Sequence, residues 1–554
     1  MRRILLTICL VAAPAAAQAP FINGHGIRNA AGDYPPGLPD GAIAQGSLFT
    51  IYGTNLGPTT GVQVSAFPLQ ITFSGVSVTA TQGSTTVNII PVFVLSSQIN
   101  AIMPSNTPLG QVSLQVTYNG KTGNYSPATV VAANFASFAV NGAGFGPGIV
   151  TNYVSASSQP VNAPSTTAAP GQLAILWGTG LGPVPDDTVA PSAGNLASTV
   201  EVFVGGVSAS VSYHGRSPCC SGLDEIFFTV PANAPTGCYV PVIVLINGTV
   251  VSNPVTMAIA SKGAACSDSN NAVEQSFIAG ESGGLIDLVR VNGTVTYLGT
   301  TTVTTADYAQ GFLFAPAAGP FYFQPMVSLP PQGSCTVYSA DGQLQVTAGL
   351  PGLTTPAALL DAGPQLGLAT GSSTTTVPAL VSGTLPIYLT TLGGNTSAFS
   401  SGLFFNPPAA VTVSAPGGSA AGAFSASVPT AAAIQWTNQS SLATTLDRTQ
   451  PITVTWTASG ATGGTVVIAG GNFDALDDAS TLFLCAAPAA AGTFTVPALV
   501  QTNIPATRTT DTAPYGALSI GLIPLNSPTT FSTSGVQAGF AAYTPWVVQN
   551  VFWQ

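Results

Sequence analysis

Charge is scarce in this chain of 554 residues: 5% are Asp, Glu, Lys or Arg, and Lys121 and Lys262 are the two lysines. No basic run occurs, and a formal net charge of −10 has the wrong sign for binding nucleic acid or anionic lipid. After the first twenty residues, Gly, Pro, Thr or Asn interrupts every apolar stretch well short of the ~20 residues a membrane-spanning helix needs. The chain has no Cys-x-x-Cys, and its two histidines, His25 and His214, stand far apart, so the usual zinc and dithiol patterns are missing. Long runs with apolar residues at helical spacing are missing as well. Disorder is excluded by the other side of the composition, since 46% of residues are hydrophobic. With 61 glycines and 45 prolines as punctuation, folded, loop-rich β structure fits.

The amino terminus carries an address. Arg2 and Arg3 precede an apolar stretch, Ile4 to Ala13, and small residues follow at Ala15, Ala16 and Ala17. These are the n-region, h-region and cleavage site of an export leader, predicted over residues 1–17, with a mature chain from Gln18. Lipidation at Cys9 is disfavoured because bulky Ile8 sits where a small residue is needed. Removing Arg2 and Arg3 takes the formal charge from −10 to −12. The expected location is secreted or on the outer cell surface.

Strand periodicity is legible in several places. Val112 to Tyr118 alternates apolar and polar residues strictly, and Asn119-Gly120 supplies a hairpin turn tolerant of positive φ. Leu288 to Val291 and Thr294 to Leu298 flank Asn292-Gly293 in the same way, and Ile452 to Trp456 alternates again. The chain also repeats itself. Gly46-Ser-Leu-Phe-Thr-Ile-Tyr-Gly-Thr-Asn-Leu-Gly-Pro58 returns as Gly171-Gln-Leu-Ala-Ile-Leu-Trp-Gly-Thr-Gly-Leu-Gly-Pro183, at the spacing of one immunoglobulin-sized domain. The predicted fold class is all-β, tandem Ig-like β-sandwich domains with little or no helix beyond the leader. Domains are expected at 18–133, 134–262, 263–429 (β-rich) and 430–554 (a further sandwich, with Trp456 and Cys485 as a core pair).

The GSLFTIYGTNLGP element resembles a family of secreted acidobacterial proteins with tandem IPT/TIG-like modules. So do Asn29-Ala30-Ala31, SQINAIMPSNTPLG at 97–110 and GRSPCCSGLDEIFFTVP at 215–231. The resemblance covers about residues 25–262; it implies Ig-like sandwiches and export, and brings no catalytic residues with it. Related TIG-like modules occur in receptors, in transcription factors and beside polysaccharide enzymes, so the fold leaves function open.

Without Cys9 the mature chain holds six cysteines, Cys219, Cys220, Cys238, Cys266, Cys335 and Cys485. An even number in an exported chain predicts disulfides. The first four allow three pairings; Cys220 with Cys238 and Cys219 with Cys266 is the expectation, because bonding adjacent cysteines imposes local strain. Cys335 and Cys485 remain to join across the second half.

Catalytic patterns are poor. Gly280-Glu-Ser-Gly-Gly284 satisfies G-x-S-x-G, but a strand rather than a helix is expected after Ser282, and a triad would need His25 or His214 from distant modules. Asn119-Gly-Lys-Thr122 lacks the first glycine of a phosphate loop. The adjacent pairs Asp186-Asp187 and Asp224-Glu225 are expected to point to opposite faces of a strand rather than to share a cleft. Asp474, Asp477 and Asp478 offer oxygens to calcium without the spacing of a calcium loop, and a solvated hairpin tip accounts for them equally. Trp177, Trp546 and Trp553 are candidates for a sugar-stacking platform, although most sandwich aromatics are core. No cofactor is expected. The function expected is a non-catalytic structural or adhesive protein whose partner is an extracellular protein or polysaccharide; the alternative is a polysaccharide-degrading enzyme or its carbohydrate-binding accessory.

Overall fold

The computed structural model describes residues 18–554 except 298–299, 316–322, 326, 342–357, 372, 382–384, 396–401, 407–408, 462, 475 and 509–515. The leader expected at 1–17 lies outside the described residues. The fold is all-β, in several sheets, with only short helices among the described residues.

The first module is built from β1 (Phe21–Asn29), β2 (Ile43–Ala44), β3 (Leu48–Thr54), β4 (Val62–Gln63), β5 (Thr72–Phe73), β6 (Val76–Gln82), β7 (Thr85–Val94), β8 (Gln98–Ile102), β9 (Gly110–Tyr118) and β10 (Lys121–Val131). Their order is β1-β3-β8-β7-β6-β9-β10-β2. β7 serves two layers, pairing first with β6 and then, towards its end, with β8. One layer is therefore β1-β3-β8-β7 and the other β7-β6-β9-β10, ending in a short parallel pairing of β10 with β2. That is the strand order of an immunoglobulin sandwich. Val112, Leu114 and Val116 point into the core with Phe49, Ile51 and Ile99, as period-2 alternation requires. Asn119 (φ 47°) and Gly120 (φ 77°) make the tight turn between β9 and β10.

The second module repeats the plan with β11 (Ala136–Ser137), β12 (Val150–Asn152), β13 (Leu173–Thr179), β14 (Val200–Val204), β15 (Val207–Arg216), β16 (Asp224–Thr229), β17 (Gly237–Ile246), β18 (Val250–Val251) and β19 (Val255–Ile259). The order β11-β13-β16-β15-β14-β17, with β18 and β19 against β17, matches strand for strand, and the repeated motif forms β3 and β13. One pair of corresponding strands differs in burial. β9 alternates because its outer face is free, whereas β17 reads GCYVPVIVLI because Ile243 on its outer face packs into the core of the carboxy-terminal half. A strand buried on both faces loses alternation.

The carboxy-terminal half comprises β20 (Gly283–Tyr297), β21 (Thr300–Phe314), β22 (Cys335–Asp341), β23 (Gln365–Thr370), β24 (Ser373–Val381), β25 (Leu385–Gly394), β26 (Ala410–Ala415), β27 (Phe424–Pro429), β28 (Ala433–Trp436), β29 (Thr445–Leu446), β30 (Ile452–Ser459), β31 (Thr465–Asp474), β32 (Ala479–Pro488), β33 (Thr493–Val496), β34 (Gly516–Ile523), β35 (Thr529–Thr533) and β36 (Val536–Trp553). One sheet runs β22-β32-β31-β34-β36-β20-β21-β25-β24-β23-β26-β27. A domain boundary at 429/430 does not separate it. β22 pairs with β32, and β20 runs parallel to β36 from Gly283↔Ala538 to Thr294↔Gln549. The Pro-Thr-Ala stretch that begins at Pro429 ends β27 and leads directly into β28; local composition marks breaks in the chain, not which distant strand pairs with which.

Within this half, β28, β30 and β33 form a small sheet that packs Trp436, Val454 and Trp456 against Ile468, Phe483 and Cys485. Trp456 and Cys485 thus share one core. At the other end the large sheet rolls until β27 lies beside β35, where Phe424 stacks on Phe531 at 4.1 Å. The hairpin expected at Asn292-Gly293 is absent: β20 continues through both residues because the parallel partner β36 supports it there. Helix α1 (Ala272–Ile278), capped by Asn271, leads from the second module into β20.

Candidate functional site

One concave surface lies where the two sandwiches meet. Its framework is the turn between β15 and β16. Arg216 and Asp224 are 3% and 0% exposed and form an ion pair. Arg216 Nη2 also donates to Gly46 O of the first module and Gly182 O of the second, each at 2.7 Å. Asp224 Oδ2 accepts from the Gly180 and Leu181 amides at 2.7 and 2.8 Å. Burial outweighs the Arg216 charge and these N–H groups and holds the Asp224 carboxyl above its ordinary pKa. Gly46 opens the repeated motif with φ +70°, and a Cβ there would collide with Arg216 Nη2. Its counterpart Gly171 has φ +83° and open space around it, so only the first-module glycine is fixed by the clamp as well as by the turn.

A second clamp sits alongside. Asp187 accepts from the Ser105 amide at 2.6 Å and from Ser105 Oγ at 2.9 Å, and Ser105 Oγ accepts from the Val184 amide at 2.9 Å. Burial raises the Asp187 pKa against these bonds. The Leu69 amide donates to Thr188 O at 2.8 Å. Between the strap Val184–Thr188 and the first-module residues Ile71, Thr86, Asn88 and Asn106 lies a crevice of about 500 Å³. Behind the same strap a smaller cavity of about 280 Å³ reaches Asn195, Arg216 and Ser221. Phe67, Ile71 and Val189, 39%, 48% and 46% exposed, give the junction an apolar rim. A groove at a module interface, apolar at its edges with a few amide, hydroxyl and carboxylate groups inside, is built to hold a neutral, hydrogen-bonding ligand.

The outer face of β6, β7, β9 and β10 is accessible as well. It carries side-chain pairs Thr81 with Thr86 and Thr117 with Thr122, both at 3.1 Å, and Gln111 to Thr129 at 2.6 Å. Tyr125, 66% exposed, stands on this face.

The residues singled out from sequence distribute as follows. Ser282 sits between α1 and β20, where its Oγ contacts Gln537 Oε1 at 3.3 Å and its amide donates to the same oxygen at 3.0 Å; helix precedes and strand follows, the reverse of a nucleophile elbow. His25 lies in β1 and His214 in β15, in separate modules. Asp186 and Asp187 are in a loop, not a strand, and only Asp187 is buried. Asp224 and Glu225 are both buried. Asp474 and Asp477 pair with the Arg508 guanidinium at 2.9 and 2.7 Å, an ion pair that neither the calcium nor the solvated-tip account of Asp474, Asp477 and Asp478 had included. Arg508 lies thirty-four residues downstream of Asp474, beyond the reach of a spacing rule. Trp546 and Trp553 are 4% and 0% exposed and complete the cores, whereas Trp177 is half-buried with its Nε1 donating to Thr151 Oγ1 at 3.4 Å, so the three tryptophans form no platform.

The disulfides are Cys219–Cys220, Cys238–Cys266 and Cys335–Cys485. The expected crossing of Cys219 and Cys220 with Cys238 and Cys266 is corrected. Cys238 is on β17 and bonds Cys266 in the segment that leads into α1, while Cys219 and Cys220 sit in the exposed β15–β16 turn. The clamps themselves went unread from sequence, although one signal was available. In so uncharged a chain an arginine asks for an acid: Arg28–Asp33, Arg216–Asp224, Arg290–Asp307 and Arg508–Asp474 are pairs, whereas Arg448 donates to the Ile504 carbonyl.

No protein-family model matches the chain, and no curated protein is similar to it in sequence. Among solved structures it is similar to the I9–I11 tandem of titin (6% identity, 70% of this chain and 93% of that one, TM-score 0.12). It is also similar to immunoglobulin domains 1–4 of Sidekick-1 (10% identity, 97% and 99%, TM-score 0.12). A third similarity is to the Escherichia coli adhesin FdeC (14% identity, 72% and 93%, TM-score 0.14). At such TM-scores none of them superposes on this chain as a whole, and the Ig-like assignment rests on strand order.

Proposed function

We propose that this is an exported, non-catalytic structural or adhesive protein of the IPT/TIG-like kind, which holds an extracellular polysaccharide of neutral sugars in the crevice between its first two modules. The observation that carries this reading is the double clamp, Arg216–Asp224 and Ser105–Asp187, which fixes two sandwiches at one angle and so preforms the crevice between them. A preformed groove loses little entropy on binding. Its amide and hydroxyl groups match sugar hydroxyls, and the sparse charge of the whole chain disfavours ionic ligands. Three disulfides support an oxidising compartment, in keeping with the leader read from sequence.

The test is a glycan array run with the mature chain and with Ile71→Asp and Asn88→Ala, alongside a reducing-sugar release assay on every glycan bound. Binding that both variants weaken at least tenfold, without release of sugar, is the expected result. Turnover would favour the polysaccharide-degrading alternative, and binding untouched by either variant would move the site to the Tyr125 face.

A further inference from the structure

The turn between β15 and β16 carries the Cys219–Cys220 bridge and joins the two halves of the buried clamp, with Arg216 at one end and Asp224 at the other. Both of its cysteines are exposed, whereas Cys238, Cys266, Cys335 and Cys485 are buried. The buried bridges span 28 and 150 residues. Cys219–Cys220 joins sequence neighbours, encloses no loop and so takes little freedom from the unfolded chain. It is a poor staple, placed where a reagent can reach it.

What the bridge does hold is the path of the turn. With the intervening peptide it closes a small ring, which restricts rotation about the backbone and side-chain bonds of both cysteines. Two residues on, Gly222 is buried with φ +75°, and a Cβ there would lie 3.0 Å from Leu48 and 3.1 Å from Ile102 of the first module. Gly222 O accepts from Thr179 Oγ1, which in turn accepts from the Leu48 amide at 2.8 Å. Ser221 Oγ donates to Val189 O at 3.1 Å, just beyond the strap that walls the crevice. Inside the turn the backbone bonding is looser. The Ser217 amide reaches Leu223 O at 2.8 Å, but the Cys220 and Leu223 amides lie 3.4 and 3.3 Å from their acceptors. The ring therefore supplies order that long hydrogen bonds do not, in a turn on which both modules rest.

We propose that Cys219–Cys220 is a thiol–disulfide exchange site, through which a dithiol reductant loosens the junction between the first two modules. A thiolate of the reductant attacks one sulfur to form a mixed disulfide, and the other sulfur leaves as a thiolate that takes up a proton. The second thiol of the reductant then displaces the remaining cysteine and closes its own disulfide. A pair of electrons has passed to the protein, and Cys219 and Cys220 end as thiols. With the ring open, the turn regains its torsions and Gly222 can draw away from Leu48 and Ile102. The buried bridges keep the cores intact meanwhile. Junction geometry is what the bridge sets, so the site stands whatever the crevice binds.

The experiment treats the mature full chain with graded dithiothreitol, traps free thiols by alkylation for peptide mapping, and follows amide hydrogen exchange on the same samples. Cys219 and Cys220 are expected to be labelled at about a tenth of the reductant that opens the other two bridges. At that point exchange in the peptides holding Leu48 and residues 184–188 should run about tenfold faster, and glutathione disulfide should reverse both changes. Cys219→Ser with Cys220→Ser should exchange fast without reductant and respond no further; the reduced parent carries the conclusion if that variant folds poorly. Labelling of Cys238, Cys266, Cys335 or Cys485 at the same reductant concentration would overturn the proposal. So would an opened Cys219–Cys220 bridge with exchange at Leu48 and 184–188 unchanged, which would make the bridge an ornament of the turn alone.

Discussion

Arg216 and Asp224 face each other across the base of the β15–β16 turn, and the same guanidinium reaches Gly46 O in one module and Gly182 O in the other. One buried side chain thereby fixes the turn, the ion pair and the angle between two sandwiches. Arg216→Met leaves Asp224 charged and unpaired and is expected to cost about 3–5 kcal/mol. Arg216→Met with Asp224→Leu together should recover much of that loss while still freeing the junction, since the Gly46 and Gly182 carbonyls lose their donor. Denaturant titration measures the first effect, and small-angle scattering, reporting a wider spread of module orientations in both variants, checks the second.

Asp40 gives the chain a pH dependence of unusual sign. It is 9% exposed in the loop whose Tyr34 and Leu38 pack on Ala479, and burial pushes its pKa up to about 8. The unfolded chain releases this proton near pH 4 while the folded chain keeps it to about 8, so the folded state binds more protons in that window. The Asp40 contribution is fully present below pH 4 and is lost as pH rises through about 8, at no more than about 1.4 kcal/mol per pH unit. Asp40→Asn should flatten the decline and leave the protein more stable than the parent at pH 8. Thermal melts from pH 5 to 9 on both chains test it; parallel curves would contradict it.

Cys335 and Cys485 tie strands β22 and β32 across a sequence separation of 150. Loop-closure entropy for so long a span is worth about 4–5 kcal/mol. Cys335→Ser with Cys485→Ser is expected to lower stability by that order. Non-reducing peptide mapping should recover the peptides of Cys335 and Cys485 linked, those of Cys238 and Cys266 linked, and Cys219–Cys220 within one peptide.

A chain of residues 430–554 alone is expected not to fold. It lacks β22, which covers one edge of β32, and β20, which covers β36 over twelve paired positions. Without them two strand edges and half of each core are exposed. A sharp, dispersed NMR spectrum from that piece would refute the shared sheet. Residues 263–554 together should give one cooperative transition.

The sequence alone determined what depends on local chemistry. The β class followed from period-2 alternation at Val112–Tyr118 and from the absence of helical spacing, and the turn at Asn119-Gly120 followed from a residue pair that tolerates positive φ at both positions. The twin sandwiches followed from the repeat of GSLFTIYG as GQLAILWG. Even the difference between β9 and β17 was written in the strands, one alternating and one apolar throughout, though its meaning needed the partner surface. Tertiary structure alone decided everything carried by contacts between distant residues: β20 against β36, Cys335 against Cys485, Arg216 against Gly46, and Arg508 against an acidic tip otherwise open to calcium. Alternation says that a strand has a buried face but not which strand lies beside it, because backbone hydrogen bonds are the same for every partner. Asn292-Gly293 shows this most plainly. The same dipeptide turns the chain at 119–120 and runs straight at 292–293, where a parallel neighbour holds the backbone extended.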